Sequence, residues 1–212
     1  MEDRFGPSSS KQEHKFFEKY LDNDLEDLSK MLHDRYERIS NGEYLKNPIR
    51  TDGIFSESNS LSTMNWYSYN AFQFTHPGTH KLLKAIKEMT IDACEYYGLD
   101  FDKEQFMVQG WFNITHVGKG KLDWHDHGGA GSPFFHGYYC VSAEPTITNY
   151  MLFGKELVDN VNKNNRAILS ETGHPHAMGD WDWEGPRITI AYDVIPLRYM
   201  GDSPEQHYFP LV

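Results

Sequence analysis

The segment Trp124-His125-Asp126-His127-Gly128-Gly129 places two imidazoles at positions i and i+2, which on a β-strand project to the same side of the sheet. Two nitrogen donors so placed can grip a metal ion. Forty-nine residues after His127 comes His176, in Gly173-His174-Pro175-His176-Ala177, and eleven residues further comes Arg187, at the head of Arg187-Ile188-Thr189-Ile190-Ala191-Tyr192-Asp193-Val194. Non-haem iron that activates dioxygen needs three protein ligands on one face of an octahedron, with the other positions left open. His125, His127 and His176 can supply that face, the third from a separate strand because one strand alone cannot make a facial set. Arg187 shares a strand face with Thr189. A planar fork of donors beside a hydroxyl suits the far carboxylate of a dicarboxylate, which arginine takes in bidentate fashion.

This arrangement resembles the iron- and 2-oxoglutarate-dependent oxygenases, whose pattern is His-x-Asp/Glu, about fifty residues, a distal His, and an Arg or Lys about ten residues on, often as Arg-x-Ser. The strand Trp111-Phe112-Asn113-Ile114-Thr115 lies a dozen residues before the first histidine, where several branches of the family carry an Asn that touches the cosubstrate. Residues 111 to 139 are similar to a branch common in marine bacteria and phages that reads Trp-x-Asn, Gly, His-x-His, then an aromatic strand. The resemblance covers residues 106 to 196. It implies a double-stranded β-helix (jelly-roll, cupin-like) core, Fe(II), 2-oxoglutarate as cosubstrate, O₂, and hydroxylation of a C–H bond in a small-molecule or peptide substrate. It further implies that His125, His127 and His176 hold the metal, that Arg187 and Thr189 take the cosubstrate's far carboxylate, and that Asn113 donates to the same molecule. Tyr138, on the strand face of His136 and Cys140, is expected to line that pocket.

One departure stands out: His127 occupies the position where the family has its carboxylate. The exchange leaves the site one negative charge poorer, which weakens Fe(II) and makes the site more receptive to anions. Two other ligand sets stay open. Asp126 faces the opposite side of a regular strand and reaches the metal only through a bulge. Alternatively, His127-Gly128-Gly129 is a His-x-Gly motif, the form of family members that leave a position for halide. His174 competes with His176 as distal ligand; the eleven-residue distance to Arg187 favours His176 over the thirteen of His174. Two functions outside this reading are a three-histidine cupin-type metalloenzyme without 2-oxoglutarate and a non-catalytic jelly-roll binding protein. The loop Gly179-Asp180-Trp181-Asp182-Trp183-Glu184-Gly185 reads either as a hydrophobic cap or as a substrate rim favouring cationic groups.

The chain that must position these residues has 212 of them, enough for one well-buried domain, with 39% apolar, 15% aromatic and 24% charged residues. The expected division is a flexible tail at 1–9, a helical part at 10–98 with a long loop at 41–70, a jelly-roll core at 105–196 and a C-terminal extension at 197–212. A formal charge of −11 repels phosphate backbones, so nucleic acid is not an expected partner. No run approaches the ~20 apolar residues of a membrane span. Met1-Glu2-Asp3-Arg4-Phe5-Gly6-Pro7 lacks a secretory pattern, and the two cysteines, Cys94 and Cys140, read as packing thiols, so a reducing cytoplasm is expected.

Ser10-Lys11-Gln12-Glu13 reads as a capping box. A helix is expected to follow, with Leu21, Leu25, Leu28, Leu32, Tyr36 and Ile39 as its apolar stripe. A second helix is expected from Pro77-Gly78, capped by Thr79 and stopped at Gly98. From Gln105 the period shortens to two, predicting strands near 106–115, 121–127, 136–143, 149–153, 166–170 and 186–195, with Asn160 to Asn165 as a turn. The fold class is therefore α+β, mainly β: a jelly roll with two N-terminal helices packed on one sheet.

Overall fold

The computed structural model describes residues 13–40, 60–62, 70–116, 122–127, 134–179, 181–200 and 208–212. In chain order the elements are β1 (Phe17–Tyr20), α1 (Leu25–Ser40), β2 (Ser60–Ser62), α2 (Pro77–Tyr97), α3 (Phe101–Glu104), β3 (Phe106–Thr115), β4 (Leu122–His125), β5 (Phe135–Ser142), β6 (Ile147–Leu152), β7 (Glu156–Val161), β8 (Arg166–Glu171), β9 (His176–Met178), β10 (Arg187–Pro196) and β11 (Phe209–Pro210). Two sheets form. The larger runs β1-β8-β5-β10-β3-β11, with β2 also on β3, and the smaller runs β4-β9-β6-β7. All pairings are antiparallel. This is the jelly-roll core expected, mainly β, with helices on one side.

Alternation along the large sheet divides its residues between two apolar clusters. Phe112, Ile114, Tyr139, Leu169, Ile188, Ile190, Tyr192 and Val194 face the helices, where they meet Leu28 and Leu32 of α1 and Leu82, Ile86 and Met89 of α2. Trp111, Tyr138, Cys140, Ile168 and Ala191 face the small sheet and pack with Tyr150 and Leu152. β10 lies between β5 and β3 and is buried along its whole length. Close approach at its flank demands a glycine: a Cβ on Gly137 would lie 2.0 Å from the Ile168 carbonyl and 2.5 Å from the Tyr192 ring. Tyr192 in turn donates its hydroxyl to that carbonyl at 2.6 Å.

The N-terminal expectation needs correction. Residues 13–24 are not helical; Phe17–Tyr20 pairs with β8, Phe17 opposite Leu169. The helix starts at Leu25 because Asp24 caps it, its Oδ1 accepting from the amides of Glu26 and Asp27 at 3.1 Å each. Ser10 to Gln12 of the expected capping box, and all of 41–69 except β2, lie outside the described residues. The second helix stops as expected, with Gly98 at φ 71, a left-handed conformation that glycine adopts without steric cost. Its cap is His76 rather than Thr79, with Nδ1 accepting from the Gly78 amide at 3.0 Å and Pro77 in the first turn. Asn160 and Val161 belong to β7, not to a turn. Cys94 and Cys140 are free and buried. Among the described residues no helix is long and apolar enough to cross a membrane.

Candidate metal centre and anion pocket

β4 pairs with β9 so that His125 lies directly opposite His176, and β9 also places Tyr150 beside His176. His127 sits just beyond the end of β4. One ring nitrogen from each of His125, His127 and His176 comes within 4.8 Å of the other two. The ring centroids are 4.3 Å apart for His125 and His176, 5.3 Å for His127 and His176, and 5.6 Å for His125 and His127. Asp126 is exposed and outside this group. Gly128 and Gly129 of the His-x-Gly alternative lie outside the described residues.

The tautomers suit a metal. His125 Nδ1 lies 2.8 Å from the Asp123 carbonyl and His176 Nδ1 lies 3.4 Å from the His174 carbonyl. A carbonyl only accepts, so each Nδ1 carries the proton. His127 Nδ1 faces the Asp193 carboxylate, 2.9 Å from Oδ1. In its neutral form each of the three rings thus presents Nε2 as a lone pair, the arrangement that a metal-binding histidine needs. Burial pushes the pKa of His125 down, and burial together with the neighbouring imidazoles pushes His176 well down, which keeps both neutral. Burial also opposes charge on His127, but the Asp193 charge and hydrogen bond outweigh it and raise its pKa.

Two residues of this centre have no counterpart in the sequence-based expectations. His136 stacks on His127 with centroids 3.7 Å apart, and its Nδ1 lies 2.9 Å from Asp193 Oδ1. Burial and the His127 charge push its pKa down to about 4, against the pull of Asp193. Burial would raise the Asp193 carboxyl, yet His127 and His136 hold it far below its usual range. The pair meets because Asp193 and His136 are register partners on β10 and β5. The available signal was a charged residue and an imidazole on otherwise apolar strands.

His174 goes elsewhere. Its Nε2 lies 3.3 Å from Glu171 Oε1, the same oxygen that His14 Nδ1 approaches at 3.2 Å. The Phe153 amide donates to His174 Nδ1 at 3.2 Å, so the proton of the neutral ring sits on Nε2, which donates to Glu171 instead of binding a cation. This buried clasp ties the segment before β1 to the loop before β9.

Arg187, Thr189, Ala191 and Asp193 alternate along one face of β10, the face of the inter-sheet cluster that contains Ala191. Arg187 is 6% exposed, and among the described residues it has no carboxylate partner. Its Nε donates to Thr146 Oγ1 at 3.2 Å, and burial pushes its pKa down. Thr146 Oγ1 also accepts from Asn162 Nδ2 at 2.9 Å, and Asn162 Oδ1 accepts the Tyr138 hydroxyl at 2.7 Å. Burial raises the Tyr138 pKa, so the phenol remains a neutral donor. Asn113 stands opposite Thr189 in register, half-buried. The structure thus gathers Arg187, Thr189, Asn113 and Tyr138 on the inter-sheet face, with Thr146 and Asn162 as supports the sequence did not reveal. In the loop after β9, Trp181 is buried and donates to the Gly185 carbonyl at 2.7 Å, whereas Trp183 is exposed.

No family model matches the chain, and no curated protein matches it in sequence. Solved structures match it in shape. The non-haem monooxygenase ThoJ in its nickel complex has a TM-score of 0.61 at 12% identity, covering 93% of this chain and 80% of that one. The epimerase SnoN in complex with Fe3+, alpha ketoglutarate and nogalamycin RO has a TM-score of 0.57 at 9% identity, covering 96% and 91%. A Pseudomonas putida prolyl-4-hydroxylase has a TM-score of 0.53 at 11% identity, covering 85% and 92%. At such identities the likeness is one of fold: the chain has the double-stranded β-helix of the 2-oxoglutarate/Fe(II) oxygenases.

Proposed function

We propose that the protein is a non-haem Fe(II)- and 2-oxoglutarate-dependent dioxygenase that hydroxylates a C–H bond of a small-molecule or peptide substrate. The observation that carries this reading is a buried guanidinium with no carboxylate partner among the described residues, on the same sheet as the carboxylate that orients one of three imidazoles with free Nε2. His125, His127 and His176 would hold the iron. Arg187 would take the far carboxylate of 2-oxoglutarate through its terminal nitrogens, because Thr146 already engages Nε. Thr189 and Asn113 offer a hydroxyl and an amide on the same face, and Tyr138 fixes the wall through Asn162. Bound Fe(II) with 2-oxoglutarate and O₂ supplies an oxidative decarboxylation to succinate and CO₂, coupled to oxygen insertion in the substrate. The protein would contribute ligand geometry, anion binding and an apolar cluster that includes Trp111, Tyr138 and Tyr150 beside them.

The test is anaerobic addition of Fe(II) and 2-oxoglutarate to the metal-free protein. A weak visible charge-transfer band is expected only with both present. Iron binding without that band would leave a three-histidine metalloenzyme that does not use 2-oxoglutarate, and no iron binding would leave a jelly-roll binding protein.

A further inference from the structure

The geometry points to Asp193 as the residue that restores to this metal centre the negative charge His127 cannot supply. We infer that it acts one layer out, as a positioning carboxylate, a role that rests on the metal assignment above. Where the resembled pattern has a carboxylate ligand, this chain has an imidazole. Behind that imidazole stands Asp193, 9% exposed, with Oδ1 2.9 Å and Oδ2 3.1 Å from His127 Nδ1. A carboxylate that accepts Nδ1–H fixes the tautomer, turns Nε2 toward the metal and makes that nitrogen a better donor. The same Oδ1 accepts from His136 Nδ1 at 2.9 Å. His136, stacked on His127 and 4.7 Å from the His176 ring, therefore holds the same carboxylate oxygen alongside His127. Trp111 closes the stack, its ring 5.9 Å from His127 and 6.3 Å from His136. The charge lost from the ligand set reappears as an Asp193–His127 pair, held by a central strand rather than by the end of β4.

His127, His136 and Asp193 are themselves two imidazoles and a carboxylate within 4.8 Å of one another. In this structure Nδ1 of both rings is already engaged with the Asp193 carboxylate, which fits a hydrogen-bonded trio.

The experiment is a double-mutant cycle of Asp193→Asn and His127→Asp, read as Co(II) and Fe(II) affinity of the metal-free protein by anaerobic calorimetry, with apo melting temperature followed in parallel. In the His127 background Asp193→Asn should weaken metal about 10- to 100-fold. In the His127→Asp background, with no imidazole to orient, it should change affinity by less than about threefold, a clear non-additivity. Equal losses in both backgrounds overturn the inference. So does loss in Asp193→Asn as complete as in His176→Ala, which would make Asp193 a ligand. A wild-type chain that binds neither metal overturns the metal assignment itself, a different outcome. If Asp193→Asn fails to fold, imidazole ¹⁵N NMR of the wild-type apo protein at alkaline pH decides: Nδ1–H tautomers at His127 and His136 are expected, and Nε2–H at His127 refutes the role.

Discussion

Replacing Arg187 by methionine separates a binding residue from a structural one, because the two roles predict opposite changes in stability. The guanidinium is 6% exposed and its only hydrogen bond among the described residues is from Nε to Thr146. Two terminal nitrogens therefore remain for a carboxylate, and charge-assisted hydrogen bonds contribute about 1.5–3 kcal/mol each. Taking the lower part of that range for a pair gives about 3–4 kcal/mol, or roughly two to three orders of magnitude in Kd for 2-oxoglutarate. In the apo protein the same cation has been moved out of water without a countercharge, so an apolar side chain of similar length should be neutral or stabilising. Arg187→Met is thus expected to keep its metal, lose 2-oxoglutarate affinity by that factor in anaerobic titration of the iron-loaded protein, and melt no lower than wild type. Arg187→Lys, which keeps charge and loses the fork, should fall between. Unchanged 2-oxoglutarate affinity in Arg187→Met would refute the cosubstrate assignment, and a large drop in melting temperature with affinity intact would make Arg187 a structural residue.

His176→Ala should lose metal, whereas His174→Ala should retain it and lose stability instead, since it breaks the contact to Glu171; metal analysis and melting of both purified variants check this, and equal metal retention would remove His176 from the centre. Burial raises the Glu171 carboxyl, but hydrogen bonds from His14 and His174 outweigh it and hold the pKa below the ordinary 4.5. A depressed folded-state pKa contributes stability that is present above the unfolded value and is lost as pH falls through the folded one. Melting temperature should therefore drop in the acid range below pH 4.5 more steeply for wild type than for Glu171→Gln; parallel curves would show that the clasp contributes nothing.

The long strands that alternate through the core were legible in the sequence, whereas β1, β7 and β9 were not. β3, β5 and β10 carry alternating large apolar residues and fall within a residue of their expected bounds. β7 reads Glu-Leu-Val-Asp-Asn-Val, and its residues alternate only between exposed and half-buried, so nothing in its composition marks a strand. β9 is three residues long and follows a Gly-His-Pro-His turn. β1 was hidden by coincidence: Leu21 and Leu25 continue a spacing of four that belongs to the helix only after Asp24. At the site, the histidines were legible because the order and spacing of a motif survive in one dimension. The Asp193–His136 contact joins residues 57 apart in sequence and exists only through strand register.

β10 also accounts for the polarity of the proposed pocket. It is buried along its whole length, yet it carries charges of opposite sign at Arg187 and Asp193 on one face. Burying either charge is unfavourable unless it is paired. Asp193 is paired twice, by Nδ1 of His127 and of His136, so it is a settled charge that fixes imidazole geometry. Arg187 has a single neutral partner among the described residues, Thr146. Between the two on that face stand Thr189 and Ala191, both small, which leave the floor of the sheet low. Among the described residues the strand is thus paired at Asp193 and without a countercharge at Arg187. The missing countercharge at Arg187 must come from a ligand or from residues outside those described, and a dicarboxylate reaching from the metal would supply it at the end of the strand where a second negative charge is not already present.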